Sequence, residues 1–486
     1  MPVTNQLKNQ HLMWRAGFGP AVEQLNDLNK YSPQKLYKAL QKASAKSPVF
    51  INAADDYLKG LMLGIDDAVR MQRNEMDAEQ RKEMQKHSRD SIRNLNLFWM
   101  NEMVNSDSQL REKMAFFWHG HFACRNLNVF FQQGLLDVIR KNATGSFRDM
   151  LHEVSKTPAM LNFLNNNQNR KGHPNENFAR EVMELFTMGR GNYSENDIKE
   201  GARAFTGWGA NMKGEFIFRA QQHDDGKKTV LGKTGNFDGD DVLEILLEQK
   251  QTAKYISQKI YKFFVNDVPD TEKVNWLAER FYNNDYNISK LLEDIFTSDW
   301  FYDSKNIGCK IKSPIELIVG IQRMLPMKIE NEEALLLIQR VLGQILFYPP
   351  NVAGWPGGKT WIDSSTLMMR MRLPQLIDDK DDLNVQPKSD DDQMMGRKDE
   401  TASAKNNKMG RVGRPINASV DWNKFIKTYE KAPREELIND ISGYLLQTQV
   451  GVGADVIKQY SDADSRESFI KTAAIQIMST PEYQLC

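Results

Sequence analysis

Along most of the chain, apolar positions recur three and four residues apart, the spacing that puts them on one face of an α-helix. In SPQKLYKALQKAS, residues 32–44, Leu36 and Leu40 hold that spacing, with Ser32 as an N-cap and Pro33 in the first turn. Residues 77–106 predict one long helix, charged in its first half and apolar on one face in its second. Residues 107–122 predict another, capped by Asp107 or Ser108, and 145–164 a pair of shorter ones. Ser194 and Asp197 open SENDIKEGARAFTGW with the spacing of a capping box. Helical spacing resumes from Asp240 or Asp241 through TAKYISQKIYKFFV, TEKVNWLAERFYNN and NISKLLEDIFTSDWFY. KSPIELIVGIQRML follows, with Pro314 in its first turn.

Three stretches break the pattern. Residues 215–241 carry β-prone runs at Phe216–Phe218 and Thr229–Leu231 among turn glycines, which predicts a short hairpin. PPNVAGWPGGKTW, 349–361, is a loop of tight turns. Residues 378–415 are polar and charged without an aromatic, too poor in apolar surface to offset the entropy of ordering. The expected fold is therefore mainly α: a multi-helix, bundle-like body with a small β-hairpin insertion near 215–232. A helical core over 1–377, a disordered insertion over 378–415 and C-terminal helices over 416–486, packed on the same core, complete the expected organisation.

Composition changes this picture little. The 486 residues are 40% hydrophobic and 26% charged, enough for a large core, and 64 basic residues balance 64 acidic ones. That balance points to neither a nucleic acid nor a membrane surface. Cys124, Cys309 and Cys486 lie far apart, so a cysteine-rich zinc site or a disulfide framework is not expected. The opening MPVTNQLKNQHLMWRAGFGP lacks the pattern of a signal peptide, and no apolar run is long enough to span a membrane. Read literally, this predicts a soluble protein made in the cytoplasm.

Candidate chemistry sits in five places. NENFAREVMELF gathers Asn175, Glu176, Asn177, Arg180, Glu181 and Glu184. Arg180 is four residues from both Glu176 and Glu184, so one reading is a capped amphipathic helix with surface ion pairs. The other is a row of ligands and catalysts, since helix-borne carboxylates beside an imidazole build metal sites. WHGHF offers His119 and His121, which would point the same way on an extended turn but diverge by about 200° on a helix. Gly120 would permit a break from helix. HDDGKKTVLG offers His223, Asp224 and Lys228, either as an acid–base or metal group or as a polar hairpin turn. Trp355 and Trp361 could form an aromatic platform for a sugar ring or peptide, or pin their loop to the core. His11 and Arg15, four apart near the start, would anchor a short helix or approach the central site. Phosphate-loop, dinucleotide, GxSxG and HExxH motifs are absent.

Several of these stretches carry a resemblance. HLMWRAGFGP, LREKMAFFWHGHF, PNENFAREVMELFTMGRGNYSENDIKEGARAFTGW, HDDGKKTVLGKTGNFDGDD, KSPIELIVG, PPNVAGWPGGKTWIDSSTLMMRM and the closing STPEYQ resemble, in order, the motifs of the large bacterial family DUF1800. The resemblance covers nearly the whole chain and implies a helical fold without an established activity. It also implies a partner, a phosphatase- or sulfatase-like DUF1501 protein, and with it an extracytoplasmic alternative for location. The residue types in the shared motifs lead to one expectation: a polar pocket for metal-assisted hydrolysis or oxidation of an anionic or carbohydrate-related substrate. His119, His121, Glu181 and His223 would hold a divalent metal; Glu176, Arg180, Glu184, Asp224 and Lys228 would act in catalysis or bind negative charge. His11, Arg15, Asn175, Asn177, Trp355 and Trp361 would contact substrate or partner. The alternative is a non-catalytic binding or assembly protein in which the same polar residues are a satisfied internal network.

Overall fold

The computed structural model describes residues 3–61, 78–211, 214–378, 418–449 and 451–486, with two further two-residue strands at Asp382–Leu383 and Arg414–Pro415. Most of the polar stretch 378–415 lies outside the described residues. The body is mainly helical, as the periodicity predicts. Ser32 caps the helix Pro33–Ser44 by accepting the Lys35 N–H. The long charged-then-apolar stretch is the helix Ala78–Asn105, and the next helix runs Gln109–His121. Ser194 and Asp197 close a capping box on Glu195–Ala204.

The 215–241 region departs from the expected hairpin. Phe216–Phe218 pairs backwards with Trp208–Ala210, whereas Lys228–Val230 pairs forwards with Lys233–Gly235. The two β-prone runs therefore belong to separate antiparallel pairs, because the strand before the first run lay hidden at the end of a helical stretch. The next helix, Gly239–Leu247, is capped by Asp238 rather than starting at Asp240 or Asp241.

One apolar core runs from the N-terminal helix to the last one. Leu12, Trp99, Trp118, Leu292, Ile318, Ile441 and Ile470 are all essentially fully buried in it. A buried ion cluster fastens three helices at its centre. Glu112 accepts from Arg140, from Arg111 at 3.0 Å and from the Trp99 indole at 3.0 Å. A carboxylate without accessible side-chain surface persists only because cations and an N–H replace its water. This cluster holds Trp99 rigid, and Trp99 lies against His119.

The signature NENFAREVMELF is not one regular helix. Asn177–Glu181 is α-helical, and Val182–Thr187 widens into a π-turn, closed by the Met188 N–H on the Met183 carbonyl at 3.0 Å. Such a turn carries one extra residue and is frequent at functional sites. Here the Phe186 carbonyl accepts from an imidazole of the neighbouring helix.

Candidate functional site

The helix Gln109–His121 carries both histidines of WHGHF in its last turn. It does not break at Gly120, and helical residues two positions apart face away from each other. His119 turns inward: its Nε2 accepts the Phe347 N–H at 3.2 Å, and its ring stands edge-on to Trp99. Burial, with no charged neighbour, draws its pKa down to about 3, so it is a neutral acceptor at ordinary pH. His121 turns the other way. Its Nε2 meets the Phe186 carbonyl at 3.1 Å, while the buried Nδ1 has no hydrogen-bond partner among the described residues. Donation to that carbonyl puts the proton on Nε2 and leaves Nδ1 as a bare acceptor. Burial first, then the charge of Lys259, holds its pKa well below the usual value.

His121 lines a cleft of about 640 Å³, within the range of small-molecule sites. One wall is the helix Lys250–Phe264, which presents Lys259, Lys262 and Phe263. The opposite wall is the Pro/Gly loop, with Trp355 and Trp361. Ser313 and Glu316, at the start of the helix Pro314–Met324, close the inner end.

The charges here are unevenly spent. Glu316 is held by Lys113 and by the Ser313 N–H at 2.7 Å; burial pushes its pKa up, but Lys113 and these bonds outweigh it and bring it to about 2. Asp267 pairs with Lys310, whose ammonium also donates to the Lys262 carbonyl at 2.6 Å. Lys259 makes no ion pair or hydrogen bond with any described residue; its ammonium lies 5.3 Å from the centre of the Tyr255 ring. Desolvation brings its pKa down to about 8. Lys262 and Lys359 add positive charge at the exposed rim.

The loop wall is shaped by residues that only backbone geometry explains. Gly354 has φ 81°, and a Cβ there would lie 2.4 Å from the Gly120 carbonyl oxygen. Phe347 has φ 68°, a conformation costly for a bulky side chain.

The remaining expected site residues do not line this cleft, and most have partners of their own. Arg180 binds Glu195 at 2.7 Å and Glu176 at 3.3 Å, a surface network. Glu184 pairs with Arg190 at 2.8 Å and accepts from the Tyr193 hydroxyl. Glu181 is half-buried, and burial, then the charge of Glu184, raises its pKa. The Asn175 side chain caps the Asn177 N–H at 3.0 Å, and Asn177 donates to the Leu164 carbonyl at 3.2 Å. Asn175 is itself held by Asn169, so these asparagines tie loop to helix. His223 bonds the Thr206 carbonyl at 2.9 Å. Asp224 takes a two-pronged bond from Arg203 at 2.8 and 3.1 Å, which holds its pKa down to about 2. Buried Lys228 donates to the carbonyls of Asp224 and Gly226, and burial lowers its pKa. Arg15 donates to the carbonyls of Asn306 and Cys486, at 3.1 and 2.7 Å, and His11 stacks on Phe301. Of the residues singled out from sequence, the structure brings His121, Trp355 and Trp361 to one cleft, with His119 behind the loop.

His119 is engaged by Phe347 and Trp99, His121 by the Phe186 carbonyl and His223 by the Thr206 carbonyl. Among the described residues, no group of three or more His, Cys, Asp or Glu is placed to hold a metal ion. The sequence reading also missed Lys259. Its signal was present in KYISQKIYKFF, where a lysine three residues after Ile256 and four before Phe263 sits at the edge of an apolar stripe.

Fold and cleft define a mainly helical protein with a ligand-sized aromatic cleft and, on its wall, a lysine unpaired among the described residues. The chain belongs to the DUF1800 family, proteins of unknown function, whose family model matches residues 11–485. No curated protein and no solved structure matches it. Among the described residues no helix is long and apolar enough to cross a membrane.

Proposed function

We propose that the cleft between Lys250–Phe264 and the Trp355–Trp361 loop binds an anionic, carbohydrate-related ligand. The observation that carries this reading is Lys259: a half-buried ammonium with no counter-charge among the described residues, facing the same cleft as two tryptophans. A cation drawn out of water without a partner is costly, and a ligand carboxylate or sulfate would supply the missing charge. Half-buried Trp355 offers a ring face on which a sugar can lie, with buried Trp361 beneath the loop.

Titration with glucuronate, glucose 6-sulfate and neutral glucose, followed by calorimetry, tests the reading. Both acidic sugars are expected to bind saturably and glucose weakly. Lys259→Met is expected to weaken the acidic sugars by tenfold or more, since a charged hydrogen bond contributes roughly 1.5–3 kcal/mol. Equal binding of all three sugars, or of none, would remove the proposal. Metal dependence is checked beside it by elemental analysis of untagged protein: stoichiometric metal lost in His121→Ala would make the cleft a metal-assisted site. Retention of a DUF1501-like protein with no sugar bound would instead favour the assembly role.

A further inference from the structure

We infer that His119 is a positioning residue of this cleft: by accepting the Phe347 N–H, it latches the loop after residue 343 so that Trp355 stands as the cleft wall. The inference rests on the cleft being a ligand site, but the latch itself can be tested without a ligand.

The geometry joins three links. Phe347 is held at φ 68°, a region that an L-residue of its size enters only when its surroundings impose it. Its N–H donates to His119 Nε2 at 3.2 Å, and its ring packs against those of both His119 and Trp99, at 4.9 and 5.7 Å. His119 then meets Trp355 directly, ring centres 5.4 Å apart. Gly354, next to Trp355, sits so close to the Gly120 carbonyl that no side chain fits between them. The loop therefore touches the end of the Gln109–His121 helix at two successive residues, and the third, His121, lines the cleft. Behind His119 stands Trp99, fixed by Glu112. Phe347 and Trp99 are core residues, whereas Trp355 is only half-buried. What the latch decides beyond core packing is therefore the placement of a cleft-lining side chain.

An acceptor is needed at the Nε2 position and no charge. Glutamine places an amide oxygen close to that position, whereas leucine fills the space and offers no acceptor. Three readouts are compared for wild type, His119→Gln and His119→Leu: hydrogen exchange of the 343–349 segment, the 19F signal of fluorotryptophan at 355 (assigned with Trp355→Phe), and glucuronate affinity. His119→Gln is expected to keep slow exchange, the native Trp355 signal and near-native affinity. His119→Leu is expected to speed exchange, shift or broaden the Trp355 signal, and weaken glucuronate roughly tenfold, as the displacement of one aromatic anchor does. Native exchange and a native Trp355 signal in a folded His119→Leu protein would overturn the latch. If His119→Leu does not fold, wild type decides: a Phe347 amide that exchanges as fast as the exposed part of the loop overturns it, and a strongly protected one retained in His119→Gln supports it. Should glucuronate fail to bind wild type, the cleft reading falls, while exchange and the 19F signal still judge the latch.

Discussion

Single side chains in this protein act through what they lack as much as through what they hold. Lys259 lacks a counter-charge among the described residues, and its pKa near 8 sets the pH at which it can bind an anion. The ammonium is present below that pH and is lost above it, so glucuronate affinity is expected to be level below about pH 7 and to fall as pH rises past 8. Calorimetry across pH 6–9.5 checks this; Lys259→Met should flatten the profile. Glu316 has the opposite character, a buried carboxylate satisfied by Lys113 and Ser313. Its folded pKa lies below the unfolded one, so its stabilisation is complete above the ordinary glutamate range and lost as pH falls towards about 2. Lys113→Met, which leaves that carboxylate buried and unpaired, is expected to cost about 3–5 kcal/mol in denaturant unfolding near neutral pH. The residues that looked most chemical in sequence, Arg180, Glu184, Asp224 and Lys228, are largely engaged with neighbours.

At the scale of elements, caps and apolar stripes were legible because they are local. Ser32, Ser194 and Pro314 each mark a helix start where the sequence places one. The π-turn at Val182–Thr187 and the strand Trp208–Ala210 were not legible, since each is set by what packs against it. HxH was legible only as a pair of alternatives. Once the helix runs through Gly120, its two imidazoles must part, one to the loop and one to the cleft. Gly120 itself has open space where a Cβ would go, so Gly120→Ala is expected to fold normally. Gly354→Ala faces both a left-handed backbone and the Gly120 carbonyl, and is expected to destabilise by about 1–3 kcal/mol or to displace the loop. Thermal unfolding of the two variants separates these outcomes.

Across the whole molecule, the chain closes on itself. Gln10, in the first helix, donates to the carbonyls of Gly443 and Tyr444, and Arg323 donates to that of Gly19. The strand Met327–Ile329 pairs with Ala418–Val420 across the polar stretch that separates them in sequence. Phe425, Ile441 and Ile470 are buried in the same apolar cluster as Leu12 and Trp99. Proteolysis confined to 384–413 is expected to leave two fragments that co-elute under native conditions, with helical content unchanged by circular dichroism. Separation of two independently folded pieces would contradict this. The sequence by itself determined the helical class, the caps, the family and the absence of several common catalytic motifs, because periodicity, capping chemistry and ordered motifs act between near neighbours. Which polar residues would be engaged and which left bare was decided by tertiary structure alone. Whether Arg180 faces Glu195, whether His119 holds Phe347, and whether Lys259 finds a carboxylate all depend on segments tens to hundreds of residues away. Desolvation and pairing exist only once those segments have packed together.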